Sequence, residues 1–248
     1  MRKKTVLRID ILTIFPRMFT RVFDESIISK ARDKGLVDIR VFDIRDEATD
    51  THRSVDDKVF GGGAGMVMKI EPLYRILRRY KDKQKPFVIL LTPQGSLFNQ
   101  DTANRLLRKK HLVLICGHYE GVDERIKRFI NREVSIGDVV LTGGEIPAMV
   151  VVDAVTRLIP GVVQKQESIE NDSFYKGRLD HPHYTRPAVF KGMNVPGVLI
   201  SGNHAKILQW RKTMILKNTL QKRPDLFKKH RLTEEEHHII KQLKGRKL

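Results

Sequence analysis

Residues 135–149 read SIGDVVLTGGEIPAM: an apolar run stops at two glycines, and Glu145 and Pro147 follow where a helix can begin. Two earlier stretches share that grammar. In FVILLTPQG (87–95) and LVLICGHYEG (112–121) an apolar run again opens onto glycine. Short apolar runs bounded by turn residues read as buried strands, and strands that alternate with helical patterns read as an α/β domain with a mostly parallel sheet. Ligands of such sheets sit beyond the carboxyl ends of the strands. The three glycine loops therefore converge on one small molecule, which they hold through backbone N–H and C=O groups.

Working outward, alternation marks a first strand from Val6 toward Phe15, stopped by Pro16. A helical stripe follows (Met18, Phe19, Val22, Phe23, Ile27, Ile28, Ala31), closed by Gly35, and then a second strand, LVDIRVFDI. Residues 45–65, RDEATDTHRSVDDKVFGGGAG, have no period and form a long loop, of the kind that is functional or disordered. Helices are expected over 71–80, 100–109 and 147–158, with EVSIGDVVL as the strand that leads into the opening glycines. The α/β domain spans 1–162. Residues 163–175 turn polar and aperiodic and read as an interdomain linker. A small, mainly helical domain over 176–248 completes the chain, with helices over 204–221 and 234–243. On the first of these Ile207, Leu208, Trp210, Met214, Ile215 and Leu216 lie near one face.

The chain has 248 residues, 40% of them hydrophobic and 31% charged, the balance of a globular protein. No apolar stretch approaches the roughly 20 residues of a membrane helix, and the N-terminus lacks the apolar core of a secretory signal. Cys116 is the single cysteine, which excludes an intrachain disulfide and fits a reducing, cytoplasmic setting. Net charge is +18, unevenly placed: residues 176–248 hold 17 basic against 5 acidic side chains, a net of +12. That domain suits a polyanion, and RNA, DNA or an anionic membrane surface would each satisfy the electrostatics.

Several motifs invite chemistry that their context does not support. Gly61, Gly62 and Gly63 belong to GGGAG, but Met66 stands where a phosphate loop needs lysine. A loop that admits a large substrate is the better reading. His181 and His183 flank Pro182, yet no further His or Cys lies at a ligand-like spacing, so a structural or RNA-contacting role is favoured over zinc. Cys116 ends a buried strand and reads as a core residue. Asp172 lies in the linker instead of on a packed face, and Arg157 on the exposed side of an otherwise apolar helix turn. On position alone, a capping acid and a surface ion-pair partner fit them equally well.

The motifs LTPQG, CGHYEGVDERI and SIGDVVLTGGEIPAMVVVDAVTRLIPGVV resemble the bacterial tRNA (guanine-37-N1)-methyltransferases. So do VDDKVFGGGAGMVMK, DSFYKGRLDHPHYTRP and SGNHAKILQWR, in the right order over nearly the whole chain. Phe60 and Ala64 depart from the tyrosine and proline expected there. The resemblance implies a SPOUT-type α/β domain with a deep trefoil knot, a homodimer with its active site at the subunit interface, and S-adenosylmethionine as cofactor. By motif, the cofactor would be held by Pro93, Gly117, Tyr119, Gly121, Ile136, Gly137, Asp138, Val139, Val140, Leu141, Gly143, Gly144 and Pro147, with the glycine pair accepting the adenosyl group where a Cβ would collide.

Asp172 matches the general base that takes the N1 proton of guanosine 37, in tRNAs carrying G36-G37, and Arg157 matches the arginine that stabilises charge on O6. Asp56, Gly61, Gly62, Gly63, His183 and Arg186 are the matching candidates for tRNA contact. Mg²⁺ is implied as well, with no carboxylate cluster in the sequence to mark its place. Two other classes are distinguishable. A ribosomal-RNA methyltransferase of this type would lack the Asp172 segment and the module after it, and a non-catalytic RNA-binding protein would have no use for three glycine loops.

Overall fold

A computed structural model describes residues 5–80, 85–164, 172–228 and 231–245. It divides into two compact units, Met1–Gln164 and Lys165–Leu248. The first is built on a five-stranded sheet of β1 (Leu7–Thr13), β2 (Val37–Asp43), β5 (Phe87–Leu97), β6 (His111–Cys116) and β7 (Arg132–Ser135), in the order β2-β1-β6-β5-β7. Every pairing in it is parallel. The α/β reading therefore holds. Helices α1 (Ser26–Asp33), α2 (Ile70–Arg78), α3 (Gln100–Leu107) and α4 (Glu145–Thr156) connect or follow the strands.

Because successive strand residues face opposite sides, the central strands divide their apolar content between two layers. Leu12, Val88, Leu90, Val113 and Ile115 join Leu73 and Ile76 of α2 in one core cluster. Ile9, Ile11, Ile89, Leu112 and Leu114, of opposite parity, are also fully buried, and α4, with Val151, Val152 and Val155 inaccessible, packs against β1 and β6.

Three local expectations change. The apolar stripe after Pro16 is not one helix: a 3-10 turn, Pro16–Phe19, is separated from α1, where Ser26 takes φ 58°. The long loop contains a hairpin, β3 (Asp56–Lys58) paired antiparallel with β4 (Met66–Met68), and the glycine run is its tip. The strand expected to continue through DVVL stops at Ser135. There the Ser135 hydroxyl accepts from the Gly137 N–H and donates to the Gly137 carbonyl, and Gly137 at φ 152° turns the chain out of the sheet. Val140, read as a buried strand residue, is 90% exposed.

In the second unit α5 (His204–Lys222) packs Leu216 against Ile239 and Ile240 of α6 (Glu234–Gly245), with Phe227, Leu232 and Leu243 around them. The stripe on α5 is narrower than its sequence suggests, since Leu208 is exposed. A short hairpin, β8 (Val189–Phe190) with β9 (Met193–Asn194), precedes it. Most of the expected linker, residues 165–171, lies outside the described residues. Among the described residues no helix is long and apolar enough to cross a membrane.

Candidate active site

The carboxyl ends of β6 and β7 and the Leu90–Gln94 stretch of β5 open onto a cavity of 420 Å³, within the range of small-molecule sites. Of the thirteen candidate cofactor residues, twelve line it: Pro93, Gly117, Tyr119, Gly121, Ile136, Gly137, Val139, Val140, Leu141, Gly143, Gly144 and Pro147. Asp138 does not. The segments that follow the three apolar runs thus come together, but Pro93-Gln94-Gly95 is not the turn after a strand that the sequence suggests: it lies within β5, past a register shift after Leu91, and Gly95 sits against the Val134 backbone of β7 instead of lining the cavity.

The glycine pair is explained by protein contacts before any ligand is considered. A Cβ on Gly144 would stand 2.6 Å from Cys116 Cα and 2.9 Å from the Gly117 nitrogen, and the Gly144 N–H donates to the Gly117 carbonyl at 2.9 Å. The start of α4 is in this way clamped against the end of β6. A Cβ on Gly143 would meet His118 Nε2 at 2.1 Å. Bare backbone at both positions lets two loops approach closely enough to form one wall of the cavity.

Behind that wall lies a polar network that motif reasoning passed over. Glu145, 1% exposed in the first turn of α4, accepts a hydrogen bond from Thr13 Oγ1 at 2.5 Å and meets His118 Nε2 at 2.6 Å. A carboxylate at a helix N-terminus is favoured by the helix dipole. Here it also fixes the ring of His118, a cavity residue. The only sequence signal was an acid directly after the glycine pair. Burial, with the nearby Glu145 charge adding to it, pushes the Cys116 thiol well up, in keeping with its reading as a core residue.

The β3–β4 hairpin is tied to the same wall: the Glu120 N–H donates to the Met66 carbonyl and the Met68 N–H to the Gly121 carbonyl. Asp56 at its base is hydrogen-bonded to the Tyr119 hydroxyl, which Arg45 also reaches; burial and then the Asp56 charge raise that hydroxyl's pKa. At its tip Gly61, Gly62 and Gly63 all have positive φ with open space around them, and Phe60 is 98% exposed. Among the cavity's acids, Glu124 and Glu133 share Lys127 as ion-pair partner, whereas Glu120 has none among the described residues.

Arg157 is not at the cavity of its own chain. It caps the C-terminal end of α4, whose N-terminal end forms the cavity wall, and a twelve-residue helix separates its ends by about 18 Å. Asp172, His183 and Arg186 belong to the second unit. There Asp172 is half-buried, Arg186 is exposed, and His183 Nε2 lies 2.8 Å from Asp180 Oδ2. Among the described residues the one group of three side chains close enough to share a metal ion is Asp180, His181 and His183. Two nitrogen donors do not suit Mg²⁺, which takes oxygen.

Fold and cavity together define an α/β protein with a cavity of small-molecule size, walled by backbone loops beside a parallel sheet. Residues 7–229 match the model of the family described as tRNA (Guanine-1)-methyltransferase TrmD. The tRNA (guanine-N(1)-)-methyltransferase of Dictyoglomus turgidum is 56% identical over 239 residues, 96% of this chain and 97% of that one. Those of Shouchella clausii and Thermotoga maritima are 50% and 52% identical, over 96% and 92% of this chain and 98% and 93% of theirs. The chain belongs to this family of tRNA (guanine-N1)-methyltransferases.

Proposed function

We propose that the protein methylates N1 of guanosine 37 in tRNAs carrying G36-G37, with S-adenosylmethionine in the glycine-walled cavity. The observation that carries this reading is the convergence of twelve motif-assigned residues on one cavity. A pocket wall made of Gly117, Gly143 and Gly144, bare of side chains, lets an adenosyl group approach the backbone closely. Glu120 offers a carboxylate to a cationic ligand. When bound, the cofactor supplies an electrophilic methyl on a sulfonium sulfur.

Guanine N1 carries a proton at neutral pH and has no lone pair free for attack. Asp172 removes it, and Arg157 stabilises the charge that then spreads to O6. Family likeness assigns Asp172 to the cavity of a second copy, and Arg157, ten residues past the cavity residue Pro147 and thus about 15 Å along the helix axis, is assigned there too, so the active unit is a homodimer. Val139, Val140 and Leu141, consecutive at the cavity rim and 55%, 90% and 39% exposed, form an apolar patch that supports a partner at this place. Family likeness carries the trefoil knot, with the chain after β7 passing against the end of β6.

The basic residues of 176–248 grip tRNA phosphates while guanosine 37 is drawn out of its stack, and Asp56, Gly61, Gly62, Gly63, His183 and Arg186 contact the substrate. The protein works in the cytoplasm, where its substrate is.

Single-turnover methyl transfer tests the assignment. Asp172→Asn slows it by about 10²- to 10⁴-fold while cofactor affinity stays within about twofold of the parent. A mutant with near-parental single-turnover rate removes Asp172 from the role.

A further inference from the structure

Residues 180–183, DHPH, place two histidines and a carboxylate within four positions, and the fold turns them toward one another. One ligand atom from each of Asp180, His181 and His183 lies within 4.8 Å of the others. We propose that these three side chains bind a divalent transition-metal ion of the Zn²⁺ or Co²⁺ type. None of them lines the cavity, and the proposal goes beyond methyl transfer.

The tautomer of His181 is the first argument. Its Nδ1 lies 3.1 Å from the Pro182 carbonyl oxygen, which can only accept, so Nδ1 carries a proton. In the neutral ring the lone pair is then on Nε2. That atom faces Asp180 Oδ1 at 3.9 Å, beyond hydrogen-bond reach, in a side chain only 12% exposed. Two acceptors thus face each other across a gap. An ion bonded to each at about 2.0–2.2 Å spans it. Fixing one ring nitrogen on a backbone carbonyl so that the other is presented to a metal is a common arrangement in metal sites.

Asp180 is also set in place in advance. Its N–H donates to Ser173 Oγ at 3.0 Å, its carbonyl accepts from Asn218 Nδ2 at 2.9 Å, and its Oδ1 accepts from the His181 N–H at 2.6 Å. His183 supplies the third donor. Its Nε2 rests 2.8 Å from Asp180 Oδ2, and its side chain, 70% exposed, has room to turn from that hydrogen bond onto an ion. Two imidazole nitrogens and one carboxylate oxygen select Zn²⁺, Co²⁺, Ni²⁺ or Cu²⁺ over Mg²⁺ and Ca²⁺. Three protein ligands leave one position for water or an external ligand.

Trp210 on α5 is the only tryptophan, and its ring centroid lies 6.2 Å from that of His181, so it reports on the site directly. The test titrates Co²⁺ into untagged, chelator-treated, full-length protein, following Trp210 fluorescence and visible absorption. The expected result is saturable quenching at one Co²⁺ per chain, reversed by Zn²⁺ and not by excess Mg²⁺. Asp180→Asn and His181→Ala, checked for unchanged melting, weaken Co²⁺ binding by about 100-fold or more, beyond what loss of a supporting contact costs. His237→Ala, an exposed histidine on α6, leaves it unchanged. No saturable quenching in the parent, or equal quenching in parent, Asp180→Asn and His181→Ala, overturns the proposal and leaves a hydrogen-bonded cluster only.

Discussion

Replacing Gly144 by alanine tests the reading of the glycine pair on both stability and ligand binding. Gly144 has φ −82° and ψ −2°, a conformation alanine adopts without strain, so any effect is steric. The new Cβ would lie 2.6 Å from Cys116 Cα, 2.9 Å from the Gly117 nitrogen and 3.1 Å from the Cys116 carbonyl carbon. Carbon atoms in contact prefer about 3.5–4.0 Å, so two backbone segments must separate by about 1 Å. Neither can swing aside as a flexible side chain would, because the Gly144–Gly117 hydrogen bond ties them.

Forced overpacking of this kind costs about 1–3 kcal/mol, or about 2–12 °C in melting temperature for a chain of this size. Gly117 and Gly144 both line the cavity, so the same separation opens its wall. Affinity for S-adenosylmethionine then falls at least about tenfold, equivalent to about 1.4 kcal/mol. Scanning calorimetry and isothermal titration read the two effects. Gly197→Ala is the control, since its Cβ meets nothing within 4 Å, and stays within about 0.5 kcal/mol of the parent. A Gly144→Ala protein that melts and binds like the parent would refute the steric argument.

Asp10 is inaccessible in β1; burial alone would raise its pKa, but hydrogen bonds from His111, Arg8 and Tyr80 outweigh burial and hold it below the usual carboxylate range. Its stabilising contribution is therefore complete above about pH 4 and is lost as pH falls through the lower folded value. Asp10→Asn destabilises at pH 7 by about 3 kcal/mol, the lower end for breaking a buried pair, because Arg8 is one-third exposed. In urea unfolding from pH 7 to 3 the gap between mutant and parent narrows below pH 4, and a gap independent of pH contradicts the assignment. Glu145→Gln weakens the Thr13–Glu145–His118 network and lowers stability by about 1–3 kcal/mol, measurable by the same unfolding. Affinity for tRNA falls steeply as salt rises, as the +12 charge of residues 176–248 requires, while cofactor affinity barely moves; filter binding at several salt concentrations separates the two.

The parallel sheet was legible because buried strands of such sheets are continuous apolar runs, and at β6 glycine marks where the strand ends, whereas β5 runs on through Pro93-Gln94-Gly95 to Leu97. The end of β7 was misplaced for the same reason. VVL is as apolar in an exposed loop as in a strand, and the Ser135–Gly137 hydrogen bonds that stop the ladder leave no periodic trace. The β3–β4 hairpin was missed because its strands are only three residues long and β3, DDK, is wholly polar. Glu145 and Asp180 escaped notice since an acid reads as solvated until burial or a neighbouring histidine shows otherwise. Arg157 could be assigned a role by motif, but only the length of α4 shows how far it stands from the cavity wall of its own chain.

The most direct test is to incubate the protein with methyl-labelled S-adenosylmethionine and a tRNA transcript carrying G36 and G37, with a second transcript changed at position 37, and to map the label. The account predicts label at N1 of guanosine 37 and none in the control. Equal labelling of both transcripts, or none in either by protein shown to bind the cofactor, would contradict it.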